Sequence, residues 1–297
     1  MSKLFFAKTS VIDHAIMGPY GIEGGSYNLN FTAELPKEKF DEEQVVVDFS
    51  SGKKEVKELI DRHVKNPYTN GFDHKLWVPT RDTKVTEGYD GLITVEDDFS
   101  IVTGPADMFR YLDCAHDDLL DYKKIERFMS DYVNEYIKTD VVYDVRLDSD
   151  AYPMLPLHGE EYTLRYFKYY HGLRNSSSYG CVNITHGHTS FVSVKGKCGY
   201  MLAARIAQLL DGKYIFHKEV TNDARVFEYK TSHRGPMRYV MKKEPAGLIE
   251  IDVEPTIENI VEYVRTHPVF LEEAKFAVPG TEIFISEGLQ KGAAFKI

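Results

Sequence analysis

The chain has 297 residues, 43% of them hydrophobic and 28% charged. That balance excludes a wholly disordered chain or a collagen-like repeat, and leaves room for one large domain or two units of about 150 residues. A net charge of −10 repels phosphate backbones, so no nucleic-acid partner is expected, although a small anionic substrate in a local basic pocket is compatible with it. No apolar run approaches the roughly 20 residues of a membrane span. The first residues lack a basic segment followed by an apolar stretch, and there are only three cysteines. A cytoplasmic protein with no membrane partner is the expectation.

In chain order, residues 4–14 and 26–35 read as strands, the second alternating through Tyr27, Leu29, Phe31 and Ala33, with Gly18, Gly21, Gly24 and Gly25 supplying the turn between them. Residues 44–50 form a short apolar stretch, and 53–63 an amphipathic helix with Val56, Leu59 and Ile60 on one face. A second helix covers 122–137 and runs into an extended stretch at 141–147. The order then recurs. Residues 161–171 and 189–195 read as strands, 200–210 as a helix, 225–241 as a hairpin about Gly235-Pro236, 256–264 as a helix and 282–287 as a strand. The seam falls in 149–159, where Pro153, Pro156 and Gly159 suit a linker. This predicts two units, 1–150 and 151–297.

The strongest chemical signal is His186-Gly187-His188. Residues i and i+2 of a strand share a face, so the two imidazoles meet on one side. His171 ends the preceding predicted strand, and in a hairpin it lies beside the pair. Three histidines on neighbouring strands leave a fourth position open, as in catalytic zinc sites; the competing reading is a polar turn beside a surface histidine. Cys181 lies five residues before His186 in a small polar loop. A thiolate near a zinc ion has a lowered pKa and can act as a base, whereas an ordinary free cysteine is a small buried hydrophobe, the reading that suits Cys114 and Cys198. Asp113 and His116 are a weaker candidate for a second site.

Taken in order, Phe167, His171, Cys181, His186-Gly187-His188, Pro255-Thr256-Ile257-Glu258-Asn259 and Ile285-Ser286-Glu287 resemble the 6-pyruvoyl-tetrahydropterin synthase / 6-carboxytetrahydropterin synthase family, over residues 167–287. The resemblance implies an α+β tunnelling fold: a four-stranded antiparallel sheet with two helices on one face, assembling into barrels whose interfaces hold the active sites. It implies zinc as cofactor, held by His171, His186 and His188, Cys181 as general base, and Glu287 as the carboxylate that anchors the pterin ring. Thr256 would border the pterin pocket; its other reading is a helix cap.

Family members also carry an Asp-His dyad, which the second half lacks, offering only Phe216-His217. The first half resembles the family at Phe72-Asp73-His74-Lys75-Leu76, and has Glu23-Gly24-Gly25 where His-Gly-His would stand and Arg146 about where the glutamate would stand. The fused halves would therefore build one composite site, with Asp73 and His74 from the first and zinc and Cys181 from the second. A turn beside Gly71 is the other reading of Asp73-His74. The implied activity is lyase chemistry on 7,8-dihydroneopterin triphosphate, either to 6-carboxytetrahydropterin, on the way to queuosine-type deazapurines, or by triphosphate elimination to 6-pyruvoyl-tetrahydropterin. The carboxy product is the expectation, with a homo-oligomer as the assembly. A non-catalytic pterin- or purine-binding protein and an unrelated three-histidine metalloenzyme are the alternatives. Arg174, Lys195, Lys197 and Arg234 are candidates for binding the triphosphate.

Overall fold

The structure is a computed structural model that describes residues 4–35, 58, 61–62, 71–136, 142–148, 162–173, 186–196, 199–218, 226–231, 235–243 and 247–297. The first half holds β1 (Leu4–Gly18), β2 (Gly21–Leu35), β3 (Lys75–Pro79), β4 (Lys84–Glu87), β5 (Leu92–Glu96), β6 (Ser100–Pro105), β7 (Phe109–Leu112), α1 (Lys123–Tyr136) and β8 (Val142–Asp148). The second half holds β9 (Tyr162–His171), β10 (Gly187–Lys195), α2 (Gly199–Leu210), β11 (Lys213–His217), β12 (Val226–Thr231), β13 (Gly235–Met241), β14 (Leu248–Ile251), α3 (Ile257–Thr266), α4 (Pro268–Ala274), β15 (Glu282–Glu287) and β16 (Lys291–Lys296).

Two sheets repeat one plan. The first runs β7-β3-β1-β2-β8 and the second β14-β11-β9-β10-β15-β16. In both, a long antiparallel hairpin (β1 with β2, β9 with β10) is flanked on one side by two parallel strands and on the other by an antiparallel one. The expected four-stranded antiparallel sheets are thus corrected to mixed sheets of five and six strands. Connectivity gives the reason: α2 carries the chain from the far end of β10 back to the end of β9, where β11 starts with Lys213 opposite Tyr169 and continues in the direction of β9. Short strands such as β3, buried at every residue, carry no alternation to betray them.

A third sheet, β12-β13-β6-β5-β4, draws strands from both halves, with β13 and β6 joined from Arg238 opposite Thr103 to Met241 opposite Ser100. Its apolar face shares one core with Ala15, Met17, Leu76 and Phe216, so the halves are packed as one body. Three helices lie against the second sheet. Leu202, Ile206 and Leu210 of α2, Ile260 and Val264 of α3 and Phe270 of α4 bury against Tyr169, Val192 and Ile283. The two-helix expectation is therefore one short for this unit. The turn between β1 and β2 lies at Gly18–Gly21, and Gly24 and Gly25 sit within β2 instead. Gly24 is where β2 crosses β10: a Cβ there would stand 2.4 Å from the His14 carbonyl oxygen and 3.1 Å from the Gly187 nitrogen. Only a residue without a side chain permits that approach. Two residues on, the Ser26 N–H donates to Thr189 Oγ1 at 3.2 Å.

Candidate metal centre

His171 is the last residue of β9, His186 directly precedes β10 and His188 is its second residue. The antiparallel register sets Gly187 opposite Tyr170 and His188 opposite Tyr169, and the His171 N–H donates to the His186 carbonyl at 3.3 Å. All three side chains are fully buried. Their Nε2 atoms converge, with His171–His186 at 3.0 Å, His171–His188 at 2.9 Å and His186–His188 at 3.0 Å.

The outer nitrogens fix what the inner ones present. His171 Nδ1 lies 2.7 Å from the carbonyl oxygen of Pro255, an acceptor only, so Nδ1 carries the proton and Nε2 a lone pair. His188 Nδ1 lies 3.2 Å from a carboxylate oxygen of Asp13, which selects the same tautomer. Nitrogen lone pairs brought this close in a buried space repel one another unless a cation lies among them, and three converging imidazoles, two of them with the outer nitrogen held from behind, are the donor set of a zinc site. The residues therefore fit the ion. Burial, with the neighbouring His188 adding to it, pushes the His171 pKa down to about 3, which keeps that ring neutral as a ligand must be.

Glu287 ends β15 with its Oε1 3.7 Å from His188 Nε2 and 4.0 Å from His171 Nε2, and Lys291 Nζ 3.1 Å away. Burial would raise its pKa, but the favourable electrostatics around it, the Lys291 ammonium among them, hold it below the usual carboxylate value.

The first half closes the other side of this centre. The Asp13 N–H donates to Asp73 Oδ1 at 2.9 Å, the His74 N–H donates to the Asp13 carbonyl at 2.6 Å, and the Ser26 hydroxyl donates to Asp13 Oδ1. His74 Nδ1 is 3.3 Å from Asp73 Oδ2, and its ring centroid is 4.8 Å from that of His186. Burial opposes charge on His74, yet the carboxylates of Asp73 and Asp13 outweigh it and raise the pKa. The backbone of His74 is left-handed, φ +54°, a conformation that costs a residue with a Cβ about 1–2 kcal/mol.

The structure thus brings His171, His186, His188, Glu287, Asp73 and His74 to one place. Thr256 occupies the N-cap position of α3 without a side-chain cap hydrogen bond, next to the Pro255 carbonyl that holds His171. Cys181 and Cys198 lie outside the described residues, as do Arg174, Lys197 and Arg234, most of the predicted helix at 53–63 and the linker at 149–159. Cys114 is buried in the core under α1 with Ile125 and Met129. Asp113 and His116 do not form a second site: Asp113 pairs with Arg81 on the surface, while His116 faces Asp82 and Asp97. Arg146 is exposed, paired to Asp144. Lys195 ends β10, roughly 23 Å of extended strand from His188, so it is removed from the triphosphate candidates at this centre. The sequence reading missed Asp13, Lys291 and the role of the Pro255 carbonyl, all of which depend on contacts the local sequence does not announce. Only the position of Lys291, four residues past Glu287, was open to inspection.

No protein-family model matches the chain, and no curated protein does. Among solved structures, the chain is similar to a catalytic-residue variant of Plasmodium vivax 6-pyruvoyltetrahydropterin synthase, with 14% identity, a TM-score of 0.36, and coverage of 50% of this chain and 92% of that one. It is also similar to Plasmodium falciparum 6-pyruvoyl tetrahydropterin synthase, with 17% identity, a TM-score of 0.33, and coverage of 46% and 80%.

Proposed function

We propose that the chain is a zinc-dependent lyase acting on the side chain of 7,8-dihydroneopterin triphosphate, with 6-carboxytetrahydropterin as product. The observation that carries this reading is the convergence of three buried Nε2 atoms within 3.0 Å of one another, walled by an aspartate–histidine pair from the other half of the same chain. When bound, zinc supplies a Lewis acid that lowers the pKa of substrate hydroxyls. His171, His186 and His188 hold the ion. Asp73 orients His74 and stabilises its charged form, so that imidazole can deliver or relay a proton. Cys181 is the proposed proton acceptor, five residues upstream of His186. Glu287 is the proposed anchor for the N–H-bearing edge of the pterin, since a carboxylate matches two parallel donors; Thr256 borders that pocket. A homo-oligomer remains part of the proposal, although the aspartate–histidine pair and the three histidines already meet within one chain.

The test is mass spectrometry of the product from 7,8-dihydroneopterin triphosphate, with and without a chelator. The expected result is a carboxytetrahydropterin that disappears on chelation. A pyruvoyl product would reassign the product and leave the site standing. Tight zinc binding with no turnover would leave a pterin-binding protein in place of an enzyme. Turnover unchanged after complete removal of zinc would overturn the proposal.

A further inference from the structure

The repeat allows each side chain at the centre to be compared with its counterpart in the other half. In one hairpin His14 faces Gly25, in the other Tyr169 faces His188. Lys75 opens β3 opposite His14, and Lys213 opens β11 opposite Tyr169. Asp13 therefore corresponds to Lys168, Asp73 to Asp211, His74 to Gly212 and His186 to Glu23. The backbone frame is reproduced bond for bond. Asp13 N donates to Asp73 Oδ1 at 2.9 Å, as Lys168 N does to Asp211 Oδ1 at 2.9 Å. His74 N donates to Asp13 O at 2.6 Å, as Gly212 N does to Lys168 O at 2.7 Å.

The frame therefore works with either a carboxylate or an ammonium side chain at this position. The carboxylate stands in the copy that faces the three imidazoles. At the equivalent place of the repeat, Lys168 of the second half stands for the carboxylate, and the first half offers Glu23 and Gly25 where the second has His186 and His188. Asp13 Oδ1 lies 3.2 Å from His188 Nδ1 and accepts the Ser26 hydroxyl. Gly288, at φ +66°, covers this group so closely that a Cβ would meet Ser26 Oγ at 3.0 Å and His188 Nδ1 at 3.5 Å. A carboxylate on the outer nitrogen of a ligating imidazole fixes its tautomer and orientation and raises its basicity.

We infer that Asp13 is a positioning residue, through which the first half holds the second half's zinc ligand His188 and links it to the Asp73–His74 pair. The inference rests on the proposed zinc site. The test measures zinc affinity by competition with a chromophoric chelator for the whole chain, Asp13→Ala, Asp13→Asn and His186→Ala. It is paired with nitrogen-15 histidine spectra of the zinc-loaded proteins, which report the Nδ1–H of His188 that faces Asp13. Asp13→Ala should weaken zinc binding roughly 10- to 100-fold and remove that Nδ1–H signal. Asp13→Asn keeps an acceptor without the charge and should fall between Ala and the unsubstituted chain, which carries the test if the alanine variant does not fold. Unchanged affinity and an unchanged Nδ1–H signal in the folded variants would overturn the role of Asp13. Failure of the unsubstituted chain to bind zinc more tightly than His186→Ala would instead overturn the underlying site.

Discussion

His74 offers a test in which the usual order of two substitutions reverses. Its backbone has φ +54°, and the counterpart in the other repeat is Gly212 at φ +67°. Replacing His74 by alanine or by glycine removes the same buried ring and the same contact with Asp73, so losses from the side chain largely cancel between the two variants. What differs is the backbone. Alanine carries the left-handed penalty of about 1–2 kcal/mol, while glycine escapes it and loses about 0.5–1 kcal/mol through the greater freedom of the unfolded chain. The His74→Gly variant should therefore be more stable than His74→Ala by roughly 0.5–1 kcal/mol, opposite to the order in an ordinary helix or strand. Urea unfolding of chelator-treated protein gives the comparison. Trp77, the single tryptophan, fully buried three residues away and stacked on Phe72, provides the fluorescence signal. Both variants should lack turnover. If the alanine variant were the more stable, the left-handed conformation would be absent in solution, and with it the argument that the imidazole is kept there despite its backbone cost.

Other expectations follow from the same geometry. His14 is fully buried and stacked on Tyr27, and burial, against the pull of Asp13, lowers its pKa to about 4. Between pH 6.5 and 4 the unfolded chain binds a proton on this ring that the folded chain refuses. Stability should therefore fall with pH across that window by roughly 3 kcal/mol in total; His14→Phe should flatten this part of the curve, and an unaltered slope in denaturant titrations would count against it. Gly24→Ala forces a Cβ to 2.4 Å from the His14 carbonyl oxygen on β1 and 3.1 Å from the Gly187 nitrogen on β10. It should cost about 2 kcal/mol or more and weaken zinc binding as β2 and β10 part, measured by unfolding and chelator competition; a neutral result would refute the tight crossing. Glu287→Gln should raise KM for the pterin roughly 10- to 100-fold with zinc content unchanged, read by steady-state kinetics and metal analysis; loss of zinc with unchanged KM would make Glu287 a metal ligand instead.

Several parts of this site were legible one segment at a time. The period of two in β9 and β10 placed His186 and His188 on a shared face, and the strand end placed His171 beside them. The Asp73-His74 pair was visible as a motif, but nothing near it in the sequence says that it meets His186. Asp13 had no local signature at all: its neighbours read as an ordinary strand, and its counterpart Lys168 occupies the same frame. The parallel strands β3 and β11 escaped for a related reason: both are short, β3 is buried throughout and β11 over its last three residues, so neither displays alternation.

The sequence by itself set the local elements and the chemistry of the donors, because strand periodicity, helix amphipathicity and the types of side chain act over a few residues. Tertiary structure alone decided which of those donors share a centre. The crossing of β2 on β10 at two glycines and the parallel docking of β3 on β1 bring Asp13, Asp73 and His74 against three histidines far away in the chain. Such a meeting depends on packing between whole sheets, a property that no stretch of either sheet contains.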